Sequence, residues 1–337
     1  NSCTKGKGPM ARFAAVGAGR MGRGIAIAFA DAGHRIALID IKPRAGTDWE
    51  RLRDQAHGEI AQSLAGLAQL GVLTSAQAEL VAARVEYVAA DGASAALRDA
   101  ELVFEGVPET IEAKRDAFAK LSAWCAPHAI LASTTSSIGV SQLAPLVHGP
   151  QRFLNIHWLN PAYIIPVVEL STHAGTAPEV LAQAKALLEG IGKLPVVCGD
   201  SPGYIVPRLQ ALIMNEAARL IEEGVATAEE IDKATRYGLG LRFAALGVVE
   251  FIDFGGADIL HHASREMSAS IDAQRYRAPA ILERLIAQGD LGLKTGSGFY
   301  DHRDRDIPAY RADVLSRTLG MLKHAGLWRP ASDATID

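Results

Sequence analysis

The stretch Phe13-Ala14-Ala15-Val16-Gly17-Ala18-Gly19-Arg20-Met21-Gly22 decides how this chain folds. Four residues of strand character lead into a turn with three glycines, and a helical pattern follows. Gly17 permits the tight turn, Gly19 lets a pyrophosphate approach the backbone, and Gly22 lets the helix pack closely on the strand. Because the first N–H groups of that helix have no partner within it, the motif predicts a dinucleotide-phosphate site.

The composition favours a soluble globular protein with two domains. The chain has 337 residues, 49% of them hydrophobic and 21% charged, with a formal net charge of -4. Its charges are mixed along the sequence, so we expect neither a nucleic-acid partner nor a membrane partner, and a small-molecule substrate instead. The three cysteines lack the paired spacing of a zinc site or a disulfide framework, which favours a cytoplasmic location.

The residue that closes the second predicted strand indicates which dinucleotide is bound. Asp40 stands where a carboxylate accepts the hydroxyl groups of the adenosine ribose, and it would repel the additional phosphate of NADP. NAD is therefore the predicted cofactor, with Arg20 and Met21 completing the phosphate turn. Lys42 and Arg44 follow closely, and they leave NADP as an alternative.

Strands alternate with helices as far as Cys198, and only helical patterns follow. This order predicts an α/β fold of the Rossmann type, with a doubly wound parallel sheet, followed by an all-helical C-terminal dimerisation domain. The predicted strands are Phe13–Val16, Arg35–Ile39, Val85–Val88, Leu102–Glu105, Ile130–Ser133, Phe153–His157, Val167–Leu170 and Pro195–Val197. The predicted domains are a disordered leader (1–9), an NAD-binding domain (10–200) with a helical hairpin inserted at about 46–83, and a helical domain (201–337).

The helical domain is expected to begin with Ser201 as the cap of a helix whose first residue is Pro202. That helix would run to about Glu223, a length typical of a helix buried against a partner. We therefore expect a homodimer formed through the C-terminal helices.

A general base is predicted at the end of the sixth strand. His157 would stand at the carboxyl edge of the sheet, where doubly wound folds bind their ligands. Glu169 lies in the next predicted strand, and a carboxylate on one imidazole nitrogen would fix the tautomer while the other nitrogen takes a proton. This pair suits the removal of a proton from an alcohol during hydride transfer.

Several motifs in one order resemble the 3-hydroxyacyl-CoA dehydrogenase family, which includes L-gulonate 3-dehydrogenase (lambda-crystallin). The resemblance runs through nearly the whole chain from Met10, and its pieces, besides the glycine turn with Asp40, are Glu105-Gly106-Val107-Pro108-Glu109 with Lys114, Ser133-Thr134-Thr135-Ser136-Ser137, His157-Trp158-Leu159-Asn160-Pro161, Glu169, Ser201-Pro202-Gly203-Tyr204 and Lys294-Thr295-Gly296-Ser297-Gly298-Phe299-Tyr300.

The resemblance implies a role for each matching residue. His157 would be the base, Glu169 its partner, and Ser136 a hydrogen-bond donor to the substrate oxygen. Glu109 and Lys114 would line the nicotinamide end of the cofactor site. Asn160 would hold the turn after the histidine and contact the substrate.

Departures from the family pattern bear on the substrate. Pro207 stands where the family usually has a substrate-binding asparagine, and proline donates no hydrogen bond. The predicted hairpin carries no Lys or Arg from Asp54 through Ala83, although contacts with the CoA phosphates call for them. Pro166 stands where CoA enzymes tend to carry lysine. These features favour a small free 3-hydroxy acid, with Arg242 as a candidate for binding its carboxylate.

Three alternatives stay open at the level of sequence. One is a short-chain 3-hydroxybutyryl-CoA dehydrogenase, and another is a weakly active, crystallin-like structural protein. The third is an enzyme of the 6-phosphogluconate or β-hydroxyacid type, which uses a lysine base. We expect no metal, although Asp258, His261 and His262 lie on neighbouring turns of a predicted helix.

Overall fold

An eight-stranded sheet organises the first part of the chain. The structure, a computed structural model, describes residues 12–328, so the predicted leader at 1–9 lies outside the described residues. The strands are β1 (Phe13–Val16), β2 (Ile36–Ile39), β3 (Val85–Val88), β4 (Leu102–Glu105), β5 (Ile130–Ser133), β6 (Phe153–Trp158), β7 (Val167–Ser171) and β8 (Leu194–Cys198). All eight predicted strands are present, and the sheet order is β3-β2-β1-β4-β5-β6-β7-β8.

One pair of neighbouring strands departs from the predicted parallel arrangement. β6 and β7 run antiparallel, whereas the other neighbouring pairs are parallel. The physical reason is the short connection at 159–166, because a parallel return needs a crossover of about a dozen residues or more. The antiparallel register sets His157 directly opposite Glu169.

Helices cover both faces of this sheet. In chain order they are α1 (Arg20–Asp31), α2 (Gly46–Gln69), α3 (Ser75–Ala82), α4 (Ala93–Leu97), α5 (Ile111–Trp124), α6 (Val140–Leu143) and α7 (Pro178–Gly190). Alternate residues of β1 enter different layers, since Phe13 and Ala15 belong to one buried cluster and Ala14 and Val16 to the other. The central strands are therefore buried on both faces.

The predicted hairpin region at 46–83 is occupied by α2 and α3, which pack against each other. The second helix begins with a capping box, in which the Gln77 N–H donates to Thr74 Oγ1 at 3.2 Å and the Thr74 N–H donates to Gln77 Oε1 at 2.8 Å. Alanine side chains form most of the lining of a cavity of about 770 Å³ beside these helices.

The remaining helices follow the sheet. They are α8 (Val206–Glu222), α9 (Ala228–Lys233), α10 (Leu241–Ala245), α11 (Val248–Gly255), α12 (Ala257–Ser270), α13 (Ala273–Tyr276), α14 (Ala280–Gln288) and α15 (Ile307–His324), with a π-helical segment at Ala234–Gly240. The chain divides into two compact units between Ile213 and Met214, within α8. This division lies later than the boundary predicted near Asp200, because α8 begins in the first unit.

The predicted start of α8 is wrong. Ser201 and Pro202 precede the helix, which begins at Val206, and the Ser201 Oγ accepts a hydrogen bond from Arg208 at 2.6 Å. The intervening turn carries positive φ at Gly203 (75°) and Tyr204 (42°), values that a helix does not contain. Pro207 lies in the first turn of α8, where a proline is tolerated and does not kink the helix.

In the second unit, a buried aspartate holds the glycine-rich segment that resembles the family pattern. Asp253 accepts hydrogen bonds from the N–H groups of Phe299 and Tyr300, at 2.9 and 2.8 Å, and contacts His302 Nε2 at 2.9 Å. A Cβ at Gly298 would lie 2.5 Å from the Asp253 carboxylate, so only glycine fits there. This motif therefore has a structural role within the second unit.

The candidate metal ligands and the cysteines can be located within residues 12–328. Asp258 pairs with Lys294, and His261 contacts Glu283 at 3.0 Å. Within this range no three His, Cys, Asp or Glu side chains group as metal ligands, and no helix is long and apolar enough to cross a bilayer. Cys125 and Cys198 are free thiols, while Cys3 lies outside the described residues.

Candidate active site

The glycine turn leaves room for a phosphate group against the backbone. Gly17 has φ +104°, and a Cβ on it would lie 2.5 Å from the carbonyl oxygen of Gly106. A Cβ on Gly22 would lie 2.0 Å from the Gly17 oxygen, whereas no heavy atom lies within 4 Å of the corresponding position on Gly19. No side chain caps the N-terminus of α1, so its first N–H groups are left for a ligand. These features fit the pyrophosphate of a dinucleotide.

Asp40 follows β2 at the same edge of the sheet and is 7% exposed. Its Oδ1 accepts the N–H of Lys42 at 3.2 Å, and its Oδ2 pairs with the Arg44 guanidinium. The carboxylate is thus held where a ribose would lie. Because the positive charge of Arg44 is paired with Asp40, it is less available to a 2′-phosphate, which fits NAD better than NADP.

A buried ion-pair network joins the ends of β4 and β5 to α5. Lys114, which is 1% exposed, places its Nζ 3.0 and 3.1 Å from the two Glu105 oxygens and 3.2 Å from Glu109 Oε2. The Ser133 hydroxyl donates to Glu105 at 2.7 Å. The side chain of Lys114, predicted to line the cofactor site, is buried and contacts these residues.

Glu105 and Ser133 were not predicted as site residues. Each closes an apolar strand, and a glutamate after Leu102, Val103 and Phe104 is the local sequence signal that marks a buried charge. A buried carboxylate needs hydrogen bonds or a counter-charge, and Lys114 supplies both. The sequence shows the unusual residue, but it does not show its partner.

Glu109 holds the loop that carries Ser136. Its Oε1 accepts the Thr135 hydroxyl, the N–H groups of Ser136 (3.2 Å) and Ser137 (3.3 Å), and the Ser137 hydroxyl (3.0 Å). The Ser136 hydroxyl itself bonds to no described residue, and its side chain is exposed. The loop is therefore fixed through its neighbours, while this hydroxyl stays free for a ligand.

The electrostatic balance at Glu109 favours the ionised form. Partial burial raises the pKa of this carboxyl. Hydrogen bonds from Thr135 and Ser137 and the charge of Lys114 lower the pKa by more than burial raises it, so the net pKa is below its ordinary value of 4.5. A charged acceptor strengthens the hydrogen bonds that order the segment between β5 and α6 (134–139), which we call the serine loop.

His157 and Glu169 make the contact that the sequence predicts. His157 Nδ1 lies 2.8 Å from Glu169 Oε2, and the two side chains are 6% and 0% exposed. Because an ionised carboxylate can only accept, this contact requires a proton on Nδ1, and in the neutral imidazole Nε2 is then the acceptor. Nε2 bonds to no group in the described part of the chain. The imidazole is thus oriented with one nitrogen ready to take a proton.

The second oxygen of Glu169 caps the start of α8. Its Oε1 accepts the N–H groups of Ile205 (3.0 Å) and Val206 (2.8 Å). The next residue, Pro207, has no N–H to satisfy. This arrangement explains how a proline is accommodated where the family pattern has an asparagine. Pro207 cannot form the substrate hydrogen bond that the asparagine of the family pattern would make.

Asn160 and Arg20 line one polar cavity of about 250 Å³ at the turn after β6. In the same cavity Arg23 pairs with Glu59 and donates to the Ala18 oxygen at 2.6 Å. Met21 is partly buried, and its side chain packs against the buried cluster beneath α1. The Asn160–Pro161 peptide bond is cis.

Arg242 belongs to the second unit, in helix α10. Its guanidinium lies 5.9 Å from the centroid of the Phe251 ring, and no carboxylate in the described range pairs with it. Its predicted contact with a substrate carboxylate stays a prediction.

Comparisons with known proteins give matches along most of the chain. Residues 12–201 match the family model described as the NAD-binding domain of 3-hydroxyacyl-CoA dehydrogenase, and residues 203–302 match its C-terminal domain. A probable 3-hydroxybutyryl-CoA dehydrogenase of Bacillus subtilis is 32% identical over 293 residues, covering 86% of this chain and 96% of the relative. A human mitochondrial hydroxyacyl-coenzyme A dehydrogenase is 31% identical over 298 residues, covering 86% and 90%.

A relative from Mesorhizobium japonicum has a different name, 5-formyl-3-hydroxy-2-methylpyridine 4-carboxylate 5-dehydrogenase. It is 32% identical over 303 residues, covering 89% of this chain and 94% of the relative. Among solved structures, a 3-hydroxyacyl-CoA dehydrogenase from Archaeoglobus fulgidus is similar with a TM-score of 0.73 and 28% identity, covering 94% of this chain and 100% of that one.

The lowered pKa of Glu109 predicts a pH-dependent contribution to stability. Because the folded-state pKa lies below the ordinary value of 4.5, the ionised side chain stabilises the fold fully above that pH. The contribution is lost as the pH falls through the folded-state value. Urea unfolding of the wild type and Glu109→Gln, compared from pH 7 to pH 3, should show a stability difference that shrinks in the acid range.

The matched control is Glu112→Gln, an exposed residue in the first turn of α5, whose side chain makes no hydrogen bond to the described residues. An equal difference for this control would indicate a general effect of net charge. A Glu109 difference that persists at the acid end would contradict the assignment to its ionised form.

Proposed function

Because this chain belongs to the 3-hydroxyacyl-CoA dehydrogenase family, and is accordingly an NAD-dependent oxidoreductase acting on a CH–OH group, we propose that it interconverts a 3-hydroxy and a 3-keto group with His157 as the general base. The observation that carries the proposal is the buried His157–Glu169 pair, with a free Nε2. The exposed Ser136 hydroxyl supports it, because a donor to the reacting oxygen is needed as charge develops there.

In the direction of oxidation, His157 Nε2 takes the proton of the substrate hydroxyl. The carbon–hydrogen bonding pair leaves as hydride, a carbonyl forms, and His157 holds the proton as an imidazolium stabilised by Glu169. NAD, when bound at the glycine turn, supplies the hydride acceptor. Ser136 donates a hydrogen bond to the reacting oxygen, and Glu109 fixes the loop that carries it. We place Lys114 behind Glu109 rather than against the nicotinamide.

Replacing the base tests the mechanism. His157→Ala should lower turnover by about 10²- to 10⁴-fold, the usual contribution of a general base, while NADH affinity changes little. Steady-state kinetics and NADH fluorescence titration measure the two quantities. The control is His148→Ala, because this exposed histidine uses only its backbone N–H in bonding. Unchanged turnover in His157→Ala would remove this residue from the mechanism.

Within this reaction we propose a small free 3-hydroxy acid as substrate. The α2–α3 region carries no Lys or Arg from Asp54 through Ala83, and the cavity beside it is lined by alanines and by no cation. Binding the phosphates of CoA calls for cations at such a surface. The named relatives include enzymes of both kinds, acyl-CoA dehydrogenases and a dehydrogenase of a pyridine carboxylate.

The substrate class is decided by kcat/KM for NADH formation with gulonate, carnitine, free 3-hydroxybutyrate and 3-hydroxybutyryl-CoA. We expect turnover of at least one free acid and at least about tenfold lower kcat/KM for the thioester, the loss expected when an anionic group finds no partner. Activity confined to the thioester would favour the 3-hydroxybutyryl-CoA alternative. NADH binding without turnover of any of the four would favour a crystallin-like structural role.

The lysine-base alternative is less well supported. The Lys114 ammonium is buried between Glu105 and Glu109, and Lys193 donates to the carbonyl oxygens of Ala162 and Ile165 at 2.7 and 2.9 Å. Both amines are thus engaged by protein groups, whereas His157 Nε2 bonds to no described group. The cytoplasmic location stays a prediction, since a human relative is named as mitochondrial.

We also propose a homodimer formed through the C-terminal helices. None of the α8 residues is buried within one chain, although Leu209, Leu212 and Met214 are apolar and Leu212 is 62% exposed. Large apolar side chains left exposed along one helix are typical of a subunit interface.

Light scattering after size-exclusion chromatography should give twice the mass of one chain, and Leu212→Glu should shift the protein toward the monomer. The control is Leu70→Glu, at an exposed leucine outside α8, which should leave the mass unchanged. A monomeric wild type would overturn the proposal.

A further inference from the structure

Tyr204 lies between the two groups proposed to meet the substrate oxygen. Its ring centroid is 5.4 Å from that of the His157 imidazole, with 34° between the ring planes. Its hydroxyl donates to the carbonyl oxygen of Thr135 at 3.2 Å and lies 3.5 Å from that of Ile138. These two carbonyls flank Ser136 in the loop. One side chain therefore contacts both the imidazole and the serine loop.

The backbone of the same residue has an unusual conformation. Tyr204 has φ 42°, and it is the only non-glycine residue with positive φ in the described part of the chain. A bulky residue takes this conformation only where its surroundings hold it. The following N–H groups, of Ile205 and Val206, bind Glu169. The turn thus positions the phenol ring and the partners of the buried carboxylate together.

The serine loop depends on this contact from one side. Glu109 holds its N–H groups and hydroxyls, whereas the carbonyl oxygens of Thr135 and Ile138 receive the Tyr204 hydroxyl. Burial raises the pKa of the Tyr204 hydroxyl, and the negative groups around it raise the pKa further. The hydroxyl therefore stays protonated and remains a hydrogen-bond donor.

We propose that Tyr204 is a positioning residue that sets the distance between the Ser136 hydroxyl and His157 Nε2. This inference rests on the proposed function, in which both groups contact one substrate oxygen. Displacement of a catalytic group by about 1 Å can cost about 100-fold in rate. A phenylalanine here would keep the ring against His157 but would release the loop carbonyls. The hydroxyl is therefore the part of the side chain that sets this distance.

The experiment is a double-mutant cycle of Tyr204→Phe with Ser136→Ala. Tyr204→Phe alone should lower kcat by about 10- to 100-fold, with the dissociation constant of NADH within about twofold of the wild type. In the Ser136→Ala background the same change should cost less than about threefold, because two residues that act through one contact are not additive.

A second measurement does not need turnover. Amide hydrogen exchange of residues 134–140 should be faster in Tyr204→Phe, because the loop loses an anchor. The matched control is Tyr87→Phe, since the Tyr87 hydroxyl is also buried but has no hydrogen-bond partner among the described residues. This control should leave both kcat and the exchange of the loop unchanged.

Several results would overturn the inference. They are an unchanged kcat in Tyr204→Phe, full additivity with Ser136→Ala, a loss of NADH affinity as large as the loss of kcat, or an unchanged exchange rate in the loop. A wild-type protein that turns over none of the hydroxy substrates contradicts the proposed function instead. In that case the exchange measurement alone decides whether Tyr204 anchors the loop.

Discussion

The buried carboxylate of Glu169 is the constraint on which the rest of the first unit's site depends. A fully buried charge is costly unless its oxygens are hydrogen bonded, and here one oxygen meets His157 while the other accepts the N–H groups of Ile205 and Val206. The donors come from β6 and from the start of α8 with the residue before it. One charge therefore fixes the imidazole and the start of the long helix together.

The change of strand direction makes this contact possible. In the parallel part of the sheet, the carboxyl ends of the strands meet at one edge, which collects Gly17, Asp40 and Ser136. β7 returns antiparallel after a short connection, so a residue in the middle of β7 lies directly opposite His157 near the end of β6. Opposed residues of an antiparallel pair project on the same face of the sheet, which brings the carboxylate to the imidazole.

A second buried charge supports the opposite side of the site. Lys114 lies between Glu105 and Glu109, and Glu109 in turn holds the loop of Ser136. His157 and the loop of Ser136, which we propose to face the substrate, are thus each held by a buried or partly buried carboxylate, as a catalytic site requires. Ion pairs with their hydrogen-bonding capacity filled tolerate burial, which explains why these charges lie within apolar layers.

Features that depend on neighbouring residues in the chain are predictable from the amino-acid sequence. The glycine turn, Asp40 at the end of β2 and the eight strands follow from turn chemistry and from short apolar runs, so they were predicted close to their observed bounds. The His157 and Glu169 pairing was predictable because two consecutive strands are adjacent in most sheets.

The start of α8, the burial of Lys114 and the contacts of Tyr204 arise only in the folded chain. Each depends on contacts between separate elements of the fold, such as that of the Tyr204 hydroxyl with the Thr135 carbonyl, 69 positions away. The free energy of such contacts comes from burial and hydrogen bonding between separate elements. A local sequence pattern does not specify which separate elements make these contacts.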